Sequence, residues 1–192
     1  MLFGGRAFAQ MSVHVGYLNS TLTASNDDPA NSNGVYAGLT YNIPVAGGFG
    51  IAPGVYYSMI GSKVTQGNSS ASITGTFLEH AVNVPVHLNY GIDLSRDTKV
   101  FLYGGPTVQY GLSSKEEYEG NLLGLGGNTY VDNYGDGRYT RTNVYLGGGV
   151  GLNAGGIMVT VGYDYGMMNL FQYDKDVQHH RSNLKIGVGY EF

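Results

Sequence analysis

The sequence predicts an all-β fold, an eight-stranded antiparallel transmembrane β-barrel. The first observation is the stretch from Asn183 to Phe192, where an apolar residue alternates with a small or polar one without a break. About ten residues of tilted strand cross a membrane, and an outward-apolar strand of that length is the repeating unit of a membrane barrel. The second observation is that this alternation recurs along the chain. The third is that long polar loops alternate with short turns, which places the turns and both termini in the periplasm and the long loops outside the cell.

The eight strands follow in order from the alternation. They are predicted over residues 10–22, 35–45, 49–60, 77–92, 100–112, 141–153, 157–167 and 183–192. Short Gly-rich or polar turns are predicted over 46–48, 93–98 and 153–156, and four long loops over 24–34, 61–75, 113–139 and 168–177. Clusters of Gly, Asn, Asp and Ser at these connections are typical turn chemistry.

Composition excludes several other classes. The chain has 192 residues, 42% of them hydrophobic, yet contains no run of about 18 apolar residues that would form a membrane-spanning helix. Charged residues make up only 12%, about half the usual share of a soluble domain. A net charge of −4 without a basic stripe excludes nucleic acid as a partner. There is no cysteine, so disulfide and thiolate chemistry are excluded, and we expect no cofactor.

The N-terminus is treated apart from the barrel. Residues 1–9 end in Ala7-Phe8-Ala9, a small-x-small pattern that resembles a signal-peptidase site before Gln10. The apolar stretch before this pattern is too short for a complete signal. We interpret residues 1–9 as a signal-peptide remnant or a periplasmic tail, and residues 10–192 as the barrel.

A soluble, lipocalin-like ligand binder is the structural alternative, because its strands also alternate. A lipocalin, however, keeps its apolar face inside. Here one face is almost uniformly Val, Leu, Ile and Tyr, while the other mixes Gly, Ser, Asn, His and charged residues. Eight strands leave an interior only wide enough for side chains. The mixed face therefore belongs inside and the apolar face meets lipid.

Four segments carry a more specific resemblance. They are F-L-E-H-A-V-N-V-P-V-H-L-N-Y-G (Phe77 to Gly91), K-V-F-L-Y-G-G-P-T-V-Q-Y-G-L (Lys99 to Leu112), V-T-V-G-Y-D-Y-G-M-M-N-L (Val159 to Leu170) and the terminal G-V-G-Y-E-F. They resemble the outer-membrane β-barrel family of Bacteroidetes, the PorT-like or OmpX-like proteins. The resemblance implies a location in the outer membrane of a Gram-negative bacterium, with lipid, lipopolysaccharide and other envelope proteins as partners. Phe192 is similar to the C-terminal aromatic residue that such barrels present to the barrel-assembly machinery, and it is the expected assembly signal.

Charged residues at inward-facing positions of the predicted strands predict ion pairs in the lumen. Asp164 and Lys185 lie on adjacent strands at similar height, and Glu79 and Arg141 lie near the extracellular end. A lone charge in so narrow an interior is costly, whereas an opposed pair is satisfied. We therefore predict an Asp164–Lys185 pair, a Glu79–Arg141 pair above it, and a plugged lumen.

His180 and Ser182 are candidate catalytic residues, because their spacing resembles that of outer-membrane lipid A deacylases. The sequence places no acidic residue to orient His180, so we expect no enzyme. His179 and His180 with Asp174 and Asp176 are a candidate metal site, but a solvated polar rim explains them better, and no metal is expected. The sequence thus favours a structural or interaction protein with extracellular loops two and three as contact surface. A membrane-embedded lipid hydrolase and a narrow channel are the alternatives.

Overall fold

A computed structural model of the protein describes residues 10–24, 30–67, 71–122, 125–137, 139–169 and 179–192. Nine β-strands occupy these ranges. They are β1 (Gln10–Ala24), β2 (Ala30–Ala46), β3 (Phe49–Gly67), β4 (Ala71–Asp93), β5 (Thr98–Leu122), β6 (Leu125–Asp132), β7 (Thr142–Ala154), β8 (Ile157–Gly166) and β9 (His179–Glu191). Within the described ranges, no helix is sufficiently long and apolar to pass through a membrane.

Eight of these strands close into an antiparallel ring. The hydrogen-bonded order is β1-β2-β3-β4-β5-β7-β8-β9, and β9 pairs back onto β1 from Ser12 opposite Glu191 to Ala24 opposite His179. The predicted eight-stranded barrel is therefore confirmed. β6 is a ninth strand outside the ring, which forms a hairpin with the upper half of β5.

Three of the predicted loops are wrong in extent. Within the predicted loop 24–34, β2 already begins at Ala30. Much of the segments 61–75 and 113–139 is strand: β3 continues to Gly67, β4 begins at Ala71, β5 continues to Leu122 and β6 lies within the predicted third loop. These stretches rise beyond the apolar band and meet water on both faces. They therefore lack the apolar alternation by which the membrane-spanning strands were recognised.

The three short turns lie together at one end, as predicted. Gly47 and Gly48, and again Gly155 and Gly156, have positive φ at both central positions, the geometry of the tight hairpin turns that match the twist of a sheet. Backbone hydrogen bonds join turn to turn, for example from Gly155 N to Asp97 O at 2.8 Å. The chain ends join the same layer, since Phe192 N donates to Met11 O at 2.9 Å.

The outer surface of the ring is apolar over its whole height. Val161 and Ile186, which face each other across β8 and β9, are 43% and 49% exposed. Aromatic residues gather toward the two ends of this surface. They are Tyr41, Phe49, Tyr90, Tyr190 and Phe192 on the side of the short turns, and Tyr17, Tyr57, Tyr110, Tyr163 and Tyr165 on the opposite side. Aromatic side chains at both ends of an apolar band are typical of membrane barrels.

Inside the ring, large rings pack against glycines on neighbouring strands. Tyr36 lies over Gly16 and Gly187, so that a Cβ at either glycine would overlap its ring or hydroxyl. Tyr103 lies in the same way over Gly149 and Gly162. The inward glycines therefore provide the space that the inward tyrosines fill.

Candidate functional site

The middle of the lumen contains an ion pair. Lys185 Nζ on β9 contacts Asp164 Oδ2 on β8, and Asp164 is buried. The structure thus brings together two of the predicted site residues. The pair satisfies two charges that would each be costly alone in this interior.

A second ion pair lies above the first, but with a different partner from the predicted one. Glu79 pairs with Arg181, with 2.6 Å between Oε1 and Nη1, and both side chains are buried. The predicted Glu79–Arg141 pair is wrong. Arg141 comes just before β7, at the rim, where it is exposed and lies 5.0 Å from the centre of the Tyr134 ring. Arg181 lies four residues before Lys185 on the same strand and therefore on the same inward face. This signal in the sequence would have identified Arg181 as a candidate partner of Glu79.

A chain of hydrogen bonds crosses four strands inside the ring. Tyr145 Oη donates to Gln109 Oε1 at 3.1 Å, and Gln109 Nε2 donates to Asn83 Oδ1 at 3.0 Å. Asn83 Nδ2 in turn donates to Ser58 Oγ at 2.8 Å. These contacts tie β7, β5, β4 and β3 together across the upper lumen.

Along the axis, the described part of the barrel encloses a lumen cavity and a second cavity above it. The lumen cavity has a volume of about 140 Å³ and extends from Lys99 and Glu191 at the periplasmic end up to Glu79. The mouth cup, a second cavity of about 250 Å³, opens on the extracellular side. Arg181 lines both cavities, so its side chain forms part of the partition between them.

The wall of the mouth cup depends on a bulge in β5. The pairing of β4 with β5 shifts by one residue between His80 and Ala81, opposite Leu112. A one-residue shift exchanges the two faces of a strand. Beyond the bulge, Ser114, Glu116 and Tyr118 therefore face inward. The sequence analysis missed Glu116 and Tyr118 as inward residues because it placed them in the predicted loop 113–139, beyond the end of the predicted strand, and alternation alone does not reveal the bulge that turns them inward.

Hydrogen bonds from neutral groups hold the Glu116 carboxylate in the cup. Tyr118 Oη donates to Glu116 Oε2 at 2.7 Å, and Asn133 Nδ2 donates to Glu116 Oε1 at 3.0 Å. Tyr139 lines the same cup. Burial, reinforced by the negative charge of Glu116, raises the pKa of Tyr139 to about 12. The phenol therefore stays neutral at physiological pH.

His180 and Ser182 lie on the outer face of β9 near the extracellular rim. His180 Nδ1 is 2.9 Å from the carbonyl oxygen of Gly166, and its ring stacks on Tyr165 at 5.5 Å. A backbone carbonyl thus lies against the ring nitrogen that an orienting carboxylate binds in a catalytic triad. The absence of catalysis stays a prediction.

The candidate metal residues Asp174 and Asp176 lie outside the described residues, as does the side chain of His179. Across the ranges that the structure describes, no three His, Asp or Glu side chains are grouped to hold a metal ion. At the opposite end of the barrel, the Phe192 side chain is 67% exposed beside β1. Its role as an assembly signal stays a prediction.

Comparison with known proteins gives a family and a fold. The family model described as "Outer membrane protein beta-barrel domain" matches residues 6–172. Ail of Yersinia pestis, solved in complex with the heparin analogue sucrose octasulfate, is 12% identical, covers 96% of this chain and 99% of its own, and has a TM-score of 0.52. Neisserial surface protein A is 15% identical over 95% and 97% of the two chains, with a TM-score of 0.48. The outer membrane enzyme PagL is 8% identical over 91% and 98%, with a TM-score of 0.43. Comparison with curated proteins finds no match.

Proposed function

Since the chain belongs to the outer membrane protein β-barrel family and lies in the outer membrane of a Gram-negative bacterium, we propose that it is a non-catalytic structural and interaction protein. Its extracellular strands are the contact surface on this proposal. We also assign it to the OmpX-like or PorT-like barrels of Bacteroidetes. The support for that finer assignment is the four sequence segments in β4, in β5, around β8 and at the C-terminus.

The observation that carries the proposal is a sheet that rises above the ring, which we call the outer sheet. It consists of residues 61–67 of β3, 71–80 of β4, 113–122 of β5, and β6. Within the described part of the chain, β6 hydrogen-bonds to β5 and to no other strand. An open strand edge offers backbone N–H and C=O groups to which an extended segment of another protein can add.

The side chains of the outer sheet suit a contact surface. Tyr130 on β6 is 71% exposed. Tyrosine is enriched at protein interfaces because it offers a large apolar ring with a polar end. Envelope proteins are therefore the expected partners of this sheet, with lipid and lipopolysaccharide around the ring and the barrel-assembly machinery acting on Phe192.

Site-specific photocrosslinking in intact cells tests the proposal. A benzophenone amino acid in place of Tyr130 is expected to form a covalent protein adduct of defined mass. The same group in place of Leu94, which is 64% exposed in a periplasmic turn, is the matched control and is expected not to form it.

The adduct's protein component is then purified and tested for binding. A variant with residues 119–128 replaced by Asn-Gly keeps the barrel but shortens the β5–β6 hairpin. Its affinity for that partner is expected to fall about tenfold or more, since a partner that adds to β6 loses much of its ladder. Identical adducts at Tyr130 and Leu94, or equal affinity of both forms, would contradict the proposal.

The proposal includes a lumen that does not conduct. Two observations support a closed lumen. They are the two ion pairs on the axis and the position of Arg181 between the two cavities. Rearranging buried ion pairs to admit a passing ion is costly in an interior that only side chains fit.

A further inference from the structure

The mouth cup has the size and the walls of a small binding site. Its volume of about 250 Å³ is just below the range of about 300–1,000 Å³ that is usual for drug-sized ligands. Its lining mixes apolar and aromatic side chains with few charges. The larger apolar and aromatic members are Leu22, Val64, Phe77, Tyr118 and Tyr139.

Among the described residues that line the cup, Glu116 is the acidic one and Arg181 the basic one. Arg181 at its floor is already neutralised by Glu79. The two ion pairs among the described residues, Glu79–Arg181 and Asp164–Lys185, do not include Glu116. Both oxygens of Glu116 instead accept hydrogen bonds from neutral donors, and a carboxylate with about four lone-pair sites can accept further ones.

Aromatic rings beside a fixed carboxylate recognise organic cations. The ring quadrupole attracts an ammonium group, and the carboxylate adds a charge-assisted hydrogen bond. We propose that the mouth cup binds an alkylammonium group, which hydrogen-bonds to Glu116 between the rings of Tyr118 and Tyr139 while its hydrocarbon part contacts Phe77, Val64 and Leu22. This site is independent of the open edge of β6.

An alkylammonium group has two sources, a free small amine or a lysine side chain on another protein. The test therefore uses n-butylammonium and N-acetyl-lysine methylamide as separate probes. Binding of either supports the site. The tighter of the two identifies the source, because the peptide-like probe also presents backbone amides to the rim.

The experiment uses the whole barrel in nanodiscs of zwitterionic lipid, with methyl-labelled Leu and Val. n-Butylammonium is expected to shift the Leu22 and Val64 methyl signals saturably. The isosteric neutral 1-butanol and the anion butyrate are expected to bind at least about tenfold more weakly, because neither gains the charge-assisted contact.

A pair of variants separates the site from general charge attraction. Glu116→Gln is expected to weaken n-butylammonium binding about tenfold or more. Glu119→Gln removes the same charge three residues further along β5, on the opposite face, and is expected to leave the affinity within about twofold. Heat-dependent gel migration verifies that both variants are folded.

Three results would overturn the proposal. The first is equal affinity for n-butylammonium and 1-butanol, and the second is unchanged affinity after Glu116→Gln. The third is the same loss in Glu116→Gln and Glu119→Gln, which would mean attraction to the acidic outer sheet as a whole.

Discussion

Complementary packing of tyrosine on glycine accounts for part of the 32 glycines and 17 tyrosines of the chain. An eight-stranded lumen has room for a large ring only where the residue across from it has no side chain. Tyr103 over Gly162 is one such pair, since a Cβ at Gly162 would overlap the Tyr103 hydroxyl. The inward share of these two residue types is thus a property of the interior packing, whereas many of the exposed tyrosines lie on the outer surface.

This packing predicts a coupling between Gly162 and Tyr103. Gly162→Ala is expected to destabilise the barrel by about 1–3 kcal/mol, as overpacked interiors do, and to cost less in a Tyr103→Phe background, where the overlapping hydroxyl is gone. Urea unfolding followed by circular dichroism in lipid vesicles measures both values. Gly127→Ala is the control, because a Cβ there meets nothing within 4 Å. Equal costs of Gly162→Ala in both backgrounds would disprove the coupling.

The central ion pair predicts a second non-additive effect. Asp164→Ala is expected to cost about 3–5 kcal/mol, because it leaves Lys185 as an uncompensated charge in the lumen. Asp164→Ala combined with Lys185→Met is expected to cost less than the single change. The same unfolding measurement tests this, and a double variant that loses the sum of the two single losses would refute it.

Side chains along a strand alternate between its two faces. The sequence was therefore sufficient to place Asp164, Lys185 and Glu79 inside the ring. It was not sufficient to choose the partner of Glu79. That choice depends on height, and Arg141 lies just before β7 begins, whereas Arg181 lies within β9. Glu116 and Tyr118 were missed for a different reason, since they lie in the part of β5 that was predicted as a loop, where the bulge opposite His80 has also exchanged the faces of the strand.

At the scale of the strand, depth in the membrane governs the cost of a charge on the outer face. Val161→Arg, at mid-height of β8, is expected to destabilise by about 2–4 kcal/mol, and Ile157→Arg, at the periplasmic start of the same strand, by about 0–1 kcal/mol. Both side chains point outward, with 43% and 60% exposure, so depth is the variable that differs. Unfolding in vesicles measures the difference. Equal costs would mean that the assigned heights are wrong.

The strands could be predicted from the sequence where lipid lies on one side and the lumen on the other. They could not be predicted where they extend above the membrane. Between Phe49 and Ile60 each residue faces one of two different environments, so the sequence alternates and β3 was recognised. From Gly61 to Gly67 the same strand has water on both faces, and the polar sequence gives no period. The outer sheet therefore could not be predicted from the sequence and is seen only in the structure.

For the whole molecule, we expect a sealed membrane protein. The unheated protein is expected to migrate differently from the boiled protein on gels, and to give no steady single-channel currents in planar bilayers. A large-pore porin in the same bilayer is the control for detection. Reproducible currents from the unmodified protein would contradict the sealed lumen, and recovery without detergent as a soluble monomer would contradict the apolar outer surface.

The seam between β1 and β9 fixes the order of events in biogenesis. It joins the first and last strands of the ring, so closure waits until the final strand has been delivered. Until then β1 and β8 each present a row of backbone groups that hydrocarbon cannot satisfy. A chain interrupted before β9 would therefore form an open sheet with two unpaired edges, the kind of edge that favours aggregation.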